Sequence, residues 1–447
     1  MTDLETLSRA ILDAAKKAGA DTADAIVVSG DSLSIEVANA ALEHAERAEG
    51  IDLGLRVMIG QRQACVSVSD SRLETISAMA ERAVAMAREA PEDPHIGLAD
   101  PADLAQSWDV DVLELADIAP APSPDTLKQA ALEAEAAALE IKGVDKVDSA
   151  GAGYSKTSIH LATSNGFSGG YSRTSTSISA VAITGTGLEM ERDYNGEGRV
   201  FASDMPSAAE IGRIAGERTV LRKGAKKPPT GAFPVLYDER ISSGLIGHLV
   251  SAINGSMIAR GSSWLKDAMG EMVLPKSMDL IENPSRIRVG GSKPFDAEGL
   301  LTLRRALVEN GVLQGWTLDL ATARKLNMQS TASAARGTSA PPSPSVGNLT
   351  LTPGNKTRAE LISDMGTGLI ITSLIGSSIN GNTGDYSRGA SGFWVENGEI
   401  TGPVNECTVA GNLRDMLGSI IAANDGRNHL SRVIPSLLVE GMTIAGA

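Results

Sequence analysis

The sequence predicts an α+β fold: an N-terminal domain of helices and antiparallel sheet, then a β-rich, barrel- or sandwich-like C-terminal domain with a few helices. Three observations predict it. Amphipathic helical segments enclose short alternating strand-like runs in the first half, glycine-bounded short strands dominate the second, and the tetrapeptide Val-Glu-Asn-Gly occurs twice there. With 447 residues, the chain is long enough for two or three domains with real cores.

The first 90 residues predict two helices around a meander of strands. Apolar residues recur at helical spacing before Gly19, which is typical of a C-cap. Alternating runs predict half-buried antiparallel strands, and these begin at Asp24, Leu33, Leu53 and Ala64. A second helix is expected from Ser71 to about Ala90, where Ser71 and Glu74 have the spacing of a capping box.

The middle of the chain predicts a connector, a helix and a long strand pair. Residues 91–124 are rich in Pro and Asp and contain no Lys or Arg, which favours an extended connector. A helix follows from Asp125 to Lys142. Between Val144 and about Gly198, a Ser-, Thr- and Gly-rich segment predicts two long antiparallel strands with a lightly polar exposed face, joined by a type I′ turn at Asn165-Gly166. A low-complexity linker is the alternative, which regularly placed apolar residues disfavour.

The predicted domain boundary follows a helix from Ser207 to Arg222. The segment LRKGAKKPPTG combines charge, glycine and two prolines, so we expect domains at 1–222 and 228–447. In the second domain, Val308–Gly311 and Val395–Gly398 predict tight hairpins with positive φ at Asn and Gly. Helices are expected near 240–256, 357–375 and 412–423.

Composition excludes several classes of protein. The net charge of −15 makes direct nucleic-acid binding unfavourable, because phosphate contacts need clustered Lys and Arg. The two cysteines, Cys65 and Cys407, cannot form a disulfide framework and fit a reducing compartment. Asp3 and Glu5 occupy the region where a signal peptide is basic, and no apolar run approaches the ~20 residues that span a bilayer. We therefore expect a soluble cytoplasmic protein that needs no membrane.

Standard catalytic patterns do not occur. The sequence has neither a G-x-S-x-G nucleophile elbow nor a G-x-x-x-x-G-K-[ST] phosphate loop. Its five histidines are too far apart for one helix to present two of them to zinc. For His248, in a helix-like apolar segment, a structural role is favoured over catalysis. For Cys407, a small buried side chain is favoured over a nucleophile.

The segment 380–392 looks more functional than structural. It is long, polar and glycine-rich, and glycine lets backbone amides approach a ligand closely. An ordered loop without a ligand is the alternative. The candidate substrate-binding residues are Arg260, Asn380, Asp385, Tyr386 and Arg388.

This segment carries a family resemblance. The run GDYSRGASGFWVENGEI, followed by PV and VAGNLRDML, resembles the C-terminal signature of TldE/PmbA proteins in the TldD/TldE metalloprotease family, historically called modulators of DNA gyrase. The run SNGFSGGYSRTSTSIS and the segments Ala259–Leu265 and Phe295–Gly299 also fit that family. The resemblance implies a cytoplasmic heterodimer in which the TldD subunit carries zinc on an H-E-x-x-x-H helix and a later Cys.

The chain departs from that zinc pattern. Counted back from Arg260 without a gap, the matching positions are Ile246, Gly247 and Ser251, and no Cys follows Cys407. None of the three can bind zinc or act as a strong base. The sequence therefore predicts a subunit with no catalytic residue, metal or cofactor of its own, with zinc in the TldD partner.

Two functions are consistent with this resemblance. The main hypothesis is a subunit that holds extended peptides, such as peptide-antibiotic precursors or unfolded proteins, for hydrolysis by TldD. The alternative is a non-proteolytic regulatory protein that acts on gyrase or a toxin–antitoxin system; a third possibility is an autonomous enzyme that uses the loop at 380–392. A homodimer is possible when the chain is alone.

Overall fold

The computed structural model describes residues 3–447. Its first half is a six-stranded antiparallel sheet in the order β3-β2-β1-β4-β5-β6, accompanied by four helices. The elements are α1 (Leu4–Ala18), β1 (Thr22–Ala38), β2 (Ala41–Ile59), β3 (Arg62–Val68), α2 (Leu73–Glu89), α3 (Pro124–Leu139), β4 (Lys146–Thr163), β5 (Ser168–Thr184), β6 (Glu191–Arg199) and α4 (Ala208–Leu221). The predicted antiparallel layer is confirmed, and the runs predicted as two strands at Asp24 and Leu33 form the single strand β1.

All four helices of this half pack on one face of the sheet. Along β1, Ala25 and Val27 are buried with α1 and α2, whereas Ile35 and Val37 are buried with α3 and α4. Side chains two residues apart point to the same face of a strand. The even-numbered positions of β1 therefore point away from the helices.

The long hairpin of β4 and β5 is confirmed, but its predicted turn type is wrong. Gly166 has φ 114°, whereas Asn165 lacks the positive φ that a type I′ turn requires. Instead, the Gly166 N–H donates to the Thr163 carbonyl at 3.1 Å, and the Asn165 side chain donates to the Ala99 carbonyl at 2.7 Å. This contact with the preceding connector holds Asn165 in a different turn.

The second half contains a small closed barrel. Its strands pair in the cycle β16-β15-β14-β7-β19, closed by pairing of β16 with β19, and a second sheet has the order β10-β9-β8-β13-β18. The elements are β7 (Gly231–Tyr237), α5 (Glu239–Ala252), α6 (Gly255–Ala259), β8 (Leu280–Glu282), β9 (Arg305–Glu309), β10 (Val312–Leu313), α7 (Leu320–Lys325), β11 (Ala334–Ala335), β12 (Ser343–Pro344), β13 (Leu349–Leu351), α8 (Arg358–Met365), β14 (Gly368–Ile379), β15 (Asp385–Glu396), β16 (Glu399–Asn412), α9 (Leu413–Gly418), β17 (Ile421–Ala422), β18 (Arg432–Val433) and β19 (Leu437–Ala445). The β-rich, barrel-like prediction is confirmed.

Both Val-Glu-Asn-Gly hairpins are confirmed. Asn310 and Gly311 have φ of 49° and 77°, and Asn397 and Gly398 have φ of 53° and 79°. The predicted helix at 357–375 is wrong beyond Met365. Gly366, at φ 68°, ends α8, and the following apolar run forms the buried first part of strand β14. The helix predicted near 240–256 is divided into α5 and α6, which break at Ile253-Asn254, and the helix predicted at 412–423 is shorter than expected, as α9.

The acidic connector runs between α2 and α3 within the first half and packs against the second half. Its residues 91–123 contain no helix or strand beyond the single 3-10 turn Asp111–Leu113. Leu104 forms an isolated β-bridge with Leu300, and Trp108 packs against Phe295 with ring centroids 4.9 Å apart. Its apolar side chains therefore cover one end of the sheet face that lacks helices.

We expect Gly212→Ala in α4 to destabilise the protein by about 2 kcal/mol, as overpacking does. An added Cβ would lie 1.9 Å from the Ala134 carbonyl oxygen, where α3 crosses closely. The control is Gly244→Ala in α5, where a Cβ meets nothing within 4 Å and the helix gains ~0.5–1 kcal/mol. Chemical denaturation midpoints measure both, and equal shifts would contradict the packing argument.

Candidate functional site

Helix α5 positions the first part of the site. The Asp238 carboxylate accepts a hydrogen bond from the Arg240 N–H at 3.3 Å and caps the N-terminus. Leu245, Ile246 and Leu249 are buried in the core that α5 shares with the barrel strands. This packing brings the partly exposed His248 against the barrel wall.

His248 belongs to a small polar cluster at the barrel. Its ring meets that of Tyr386 edge-on, with centroids 5.7 Å apart and an interplanar angle of 77°. The phenol of Tyr237 faces that of Tyr386, and its hydroxyl lies 3.6 Å from the Met442 sulfur. Arg388 follows two residues after Tyr386, and its Nε donates to the Gly376 carbonyl at 2.7 Å.

In this cluster His248, Tyr237 and Tyr386 are neutral hydrogen-bonding groups, Arg388 is the cation, and no side chain is a strong base. Burial lowers the pKa of His248 and the charge of Arg388 lowers it further, so the imidazole is neutral at neutral pH. Burial raises the pKa of both Tyr237 and Tyr386, so both phenols are protonated. Tyr237 and Tyr386 are only 0% and 3% exposed, so within this cluster the partly exposed His248 and Arg388 are the groups that can meet a peptide.

Asn380 and Asp385 build the adjoining loop. The Asn380 carbonyl accepts the Gly384 N–H at 2.8 Å, and its side-chain oxygen accepts the Asn382 N–H at 3.0 Å. The Asp385 carboxylate accepts the Thr383 hydroxyl at 2.6 Å. These contacts are internal to the loop, which fits the structural alternative better than direct substrate contact.

Arg260 lies beside this loop without joining the cluster. It is the exposed C-cap of α6, and its Nε donates to the Ser256 carbonyl at 3.1 Å. The segment that follows contacts the loop, since the Trp264 N–H donates to the Gly381 carbonyl at 2.8 Å. The structure thus brings Tyr386 and Arg388 together with His248, and places Arg260, Asn380 and Asp385 along the neighbouring loop surface.

The positions matched to zinc ligands do not fit a zinc ion. Ile246 is 1% exposed and packs in the core, Gly247 has no side chain, and Ser251 is exposed on the same helix. Residues five apart on a helix lie ~140° apart, so these side chains do not converge. Within residues 3–447, no three His, Cys, Asp or Glu side chains group in a way that could hold a metal ion.

Cys407 is a buried structural thiol. It is 4% exposed, and its Sγ donates to the Ala390 carbonyl at 3.2 Å across β15 and β16. Burial raises its pKa to about 11, so little thiolate forms at neutral pH. The interpretation of Cys407 as a small buried side chain is confirmed.

The second part of the site is the sheet face opposite the helices. There, directly paired residues form rows across four or five strands, and one central row is Glu46, Ser34, Gly153, Ser177 and Gly198. The next row contains Ala48, Ser32, Ser155 and Ser175. Ser175, Ser177 and Ser179 are exposed, so this Ser-Gly floor is an open surface rich in hydroxyl groups.

The Ser-Gly floor confirms the lightly polar face expected for the 144–198 segment. The sequence could not show that β1 and β2 continue it, because strand pairing between distant segments is set by tertiary structure. It also missed Tyr237 and the proximity of His248 to Tyr386. The sequence indicated these residues only by where they lie: Tyr237 at the end of strand β7 and His248 on helix α5, which follows it.

Family profiles match nearly the whole chain. The profile described as PmbA/TldA metallopeptidase C-terminal domain matches residues 230–446, that of the central domain matches 108–223, and that of domain 1 matches 23–87. The metalloprotease PmbA of Escherichia coli O157:H7 is 33% identical over 429 residues, which cover 95% of this chain and 92% of that protein. A PmbA homolog of Haemophilus influenzae is 35% identical over 444 residues, covering 97% and 94%.

Solved structures share the fold. A Bacteroides thetaiotaomicron protein described as a modulator of DNA gyrase superimposes with a TM-score of 0.92 at 27% identity, and both chains are fully covered. TldE from Thermococcus kodakarensis gives 0.84 at 18% identity, with 98% of this chain and all of that chain covered, which shows the fold alone. The helix-backed sheet and the closed barrel are thus the fold of proteins whose family profiles are described as metallopeptidase domains. The chain belongs to the PmbA/TldD family.

No helix in the described part of the chain is both long and apolar enough to cross a membrane.

Proposed function

We propose that this chain is the TldE/PmbA-like subunit of a cytoplasmic metalloprotease, lacks a metal site of its own, and holds extended peptides while a TldD-like partner hydrolyses them with zinc. The observation that carries the proposal is the occupation of the matched ligand positions by Ile246, Gly247 and Ser251, in a chain 33% identical to a metalloprotease named PmbA. The expected substrates are unfolded proteins and peptide-antibiotic precursors.

The Ser-Gly floor supports the peptide-holding part. Its small side chains leave room for a main chain, and hydroxyl groups can donate to or accept from peptide groups whatever the peptide sequence is. The adjoining strand β2 adds a second feature, because residues 41–50 are all exposed and pair only with β1. Such an exposed strand edge can bind an extended peptide through main-chain hydrogen bonds.

Peptide hydrolysis by separate and mixed subunits tests the proposal. The purified chain is incubated with zinc and an unstructured peptide, alone and with a TldD-like partner that carries H-E-x-x-x-H. We expect cleavage only in the mixture, inhibited by chelators. Robust zinc-dependent cleavage by this chain alone would contradict the proposal, as would a partner whose activity does not change when this chain is added.

Arg388→Ala is expected to raise the KM of the mixture about tenfold with little change in kcat. In the described residues its guanidinium makes one hydrogen bond, through Nε, so both Nη groups can donate to a peptide. A hydrogen bond from a charged group contributes ~1.5–3 kcal/mol, or roughly tenfold or more. The control is Arg213→Ala, which breaks only an exposed pair with Glu217 on α4.

The second candidate function is a regulatory protein acting on gyrase or a toxin–antitoxin system. The likeness to the Bacteroides protein described as a modulator of DNA gyrase favours it. The net charge of −15 disfavours direct DNA contact, so the target would be protein. Affinity purification of the tagged chain separates the candidates: a gyrase subunit without any TldD-like protein supports regulation, and a TldD-like protein supports the protease.

A further inference from the structure

A cavity of about 290 Å³ lies between the helix-free sheet face and loops of the second half. The sheet contributes the apolar side chains of Ile26, Ile159 and Leu161, and Phe295 adds an aromatic ring from the opposite side. This volume is many times the ~10–15 Å³ that one water molecule needs, so the cavity has room for a small organic ligand. The apolar part of the cavity therefore fits one medium-sized side chain.

Three cationic side chains also line this cavity. The Arg336 side chain is fully buried, pairs with Asp24 through Nη1, and leaves Nη2 buried without a partner in the described residues. Arg173 donates to the Gly290 and Ser292 carbonyls at 2.6 and 2.7 Å, and its buried Nε has no partner there either. Lys293 donates to the Ala334 carbonyl at 3.2 Å and has two further N–H groups.

The nearby carboxylates are hydrogen-bonded by other groups, and Asp296 and Glu282 also lie close enough to Lys293 to interact with its charge. Asp24 is shared between Arg56 and Arg336. Asp296 lines the cavity, and its two oxygens accept the backbone N–H groups of Glu298, Leu300 and Ala334 at 2.9 to 3.0 Å. Buried polar groups are seldom left unpaired, and each of two arginines that line the cavity has one buried nitrogen without a partner in the described residues, which favours an anionic ligand here.

We propose that this cavity binds a carboxylate attached to an apolar residue, with the charge at Arg336, Lys293 and Arg173 and the side chain against Ile26 and Leu161. The apolar wall favours such a ligand over inorganic phosphate, which has nothing to place there. Arginine and lysine N–H groups make strong charge-assisted hydrogen bonds to carboxylate oxygens. Two sources share this chemistry, namely the C-terminal residue of a peptide and a free small acid.

The location favours a peptide end. Arg173 is directly paired with Thr157, which pairs with Gly30, so the cavity lies at one end of the Ser-Gly floor. A peptide extended on the floor could place its last residue in the cavity. This assignment of the source rests on the proposed function, whereas carboxylate binding itself does not.

Calorimetric titration of the full chain tests the inference without requiring hydrolysis or a partner. The probes are N-acetyl-L-leucine, its uncharged amide, inorganic phosphate, and a short peptide ending in leucine with a free or an amidated C-terminus. We expect N-acetyl-L-leucine to bind, and both its uncharged amide and inorganic phosphate to bind at least ~tenfold more weakly. The loss of one charged hydrogen bond corresponds to about that factor.

Variants locate the binding. Lys293→Met and Arg173→Gln are each expected to weaken N-acetyl-L-leucine binding at least ~tenfold. Lys276→Met, at an exposed lysine outside the cavity, is expected to change nothing. Thermal unfolding shows whether each variant is folded. If Lys293→Met does not fold, Arg173→Gln still provides an independent result.

The outcomes separate the two sources and the two proposals. Tighter binding of the free-ended peptide than of N-acetyl-L-leucine, abolished by amidation, assigns a peptide end, and binding of the small acid alone assigns a free acid. No binding of either, equal binding of the amide or of phosphate, or unchanged binding by both cavity variants overturns the inference. Because no hydrolysis is measured, that failure would leave the proposed function intact.

Discussion

Asp24→Asn is expected to lower the free energy of unfolding by about 3–5 kcal/mol, the usual cost of removing one partner from a buried ion pair. Asp24 is 1% exposed and joins two arginines: Arg56 on β2, with Nη2 at 2.5 Å, and Arg336 from the second half of the chain. Asparagine keeps the shape but removes the charge, which leaves two buried guanidinium groups without compensation. Urea denaturation at neutral pH measures the effect.

The pH dependence distinguishes charge from shape. Burial alone would raise the pKa of Asp24, but Arg336 and Arg56 outweigh it and hold this pKa below its usual value. A lowered folded pKa gives stability that is present above the unfolded pKa of ~3.9 and is lost as pH falls through the folded value. The difference between wild type and variant should therefore be full at neutral pH and shrink below about pH 4.

Asp31→Asn on the same strand is the matched control. Its carboxylate lies 3.8 Å from Arg47, and the Asp31 and Arg47 side chains are 47% and 65% exposed. Exposed pairs contribute ~0–1 kcal/mol, so this variant should be close to wild type in urea. If both variants unfolded at the same urea concentration, the buried group would not join the two halves of the chain as the geometry indicates.

The fold could be predicted to the extent that local patterns determine it. Asn-Gly pairs favour the positive φ that a tight hairpin turn requires. Both Asn310-Gly311 and Asn397-Gly398 adopt it, as predicted. Asn165 has the same local chemistry but is held by the Ala99 carbonyl, a contact 66 residues away that no local pattern contains. Helix α8 was overextended because the run after Gly366 is apolar enough for helix or buried strand, and the pairing of β14 with β15 decides between them.

The candidate site could likewise be predicted only in part from local sequence. Residue type identified the 380–392 segment and the resemblance, but it could not separate Tyr386 and Arg388, which meet His248, from Asn380 and Asp385, which form their own loop. The cavity residues Arg173, Lys293 and Arg336 lie in three distant segments, so only the packing of the sheet against the second half reveals them.

Ser177→Trp is expected to lower kcat/KM of the mixed protease at least ~100-fold, since losing about three hydrogen bonds between hydroxyl groups of the floor and the peptide, at ~1 kcal/mol each, corresponds to that factor. Ser177 is exposed in the central row of the Ser-Gly floor, opposite Gly153 on β4. An indole there would cover the surface on which an extended peptide lies, while tryptophan remains compatible with a β-strand. The rate of peptide hydrolysis at low substrate concentration measures the effect.

Ser77→Trp controls for the bulk of the new side chain, because Ser77 is exposed on α2, on the opposite side of the sheet. It should leave kcat/KM within about twofold of wild type, a difference below ~0.5 kcal/mol. Size-exclusion chromatography of each variant with the partner separates loss of peptide binding from loss of assembly. Full activity of an assembled Ser177→Trp complex would mean that peptides do not cross the floor, and the exposed edge of β2 would then be the surface that remains to hold them.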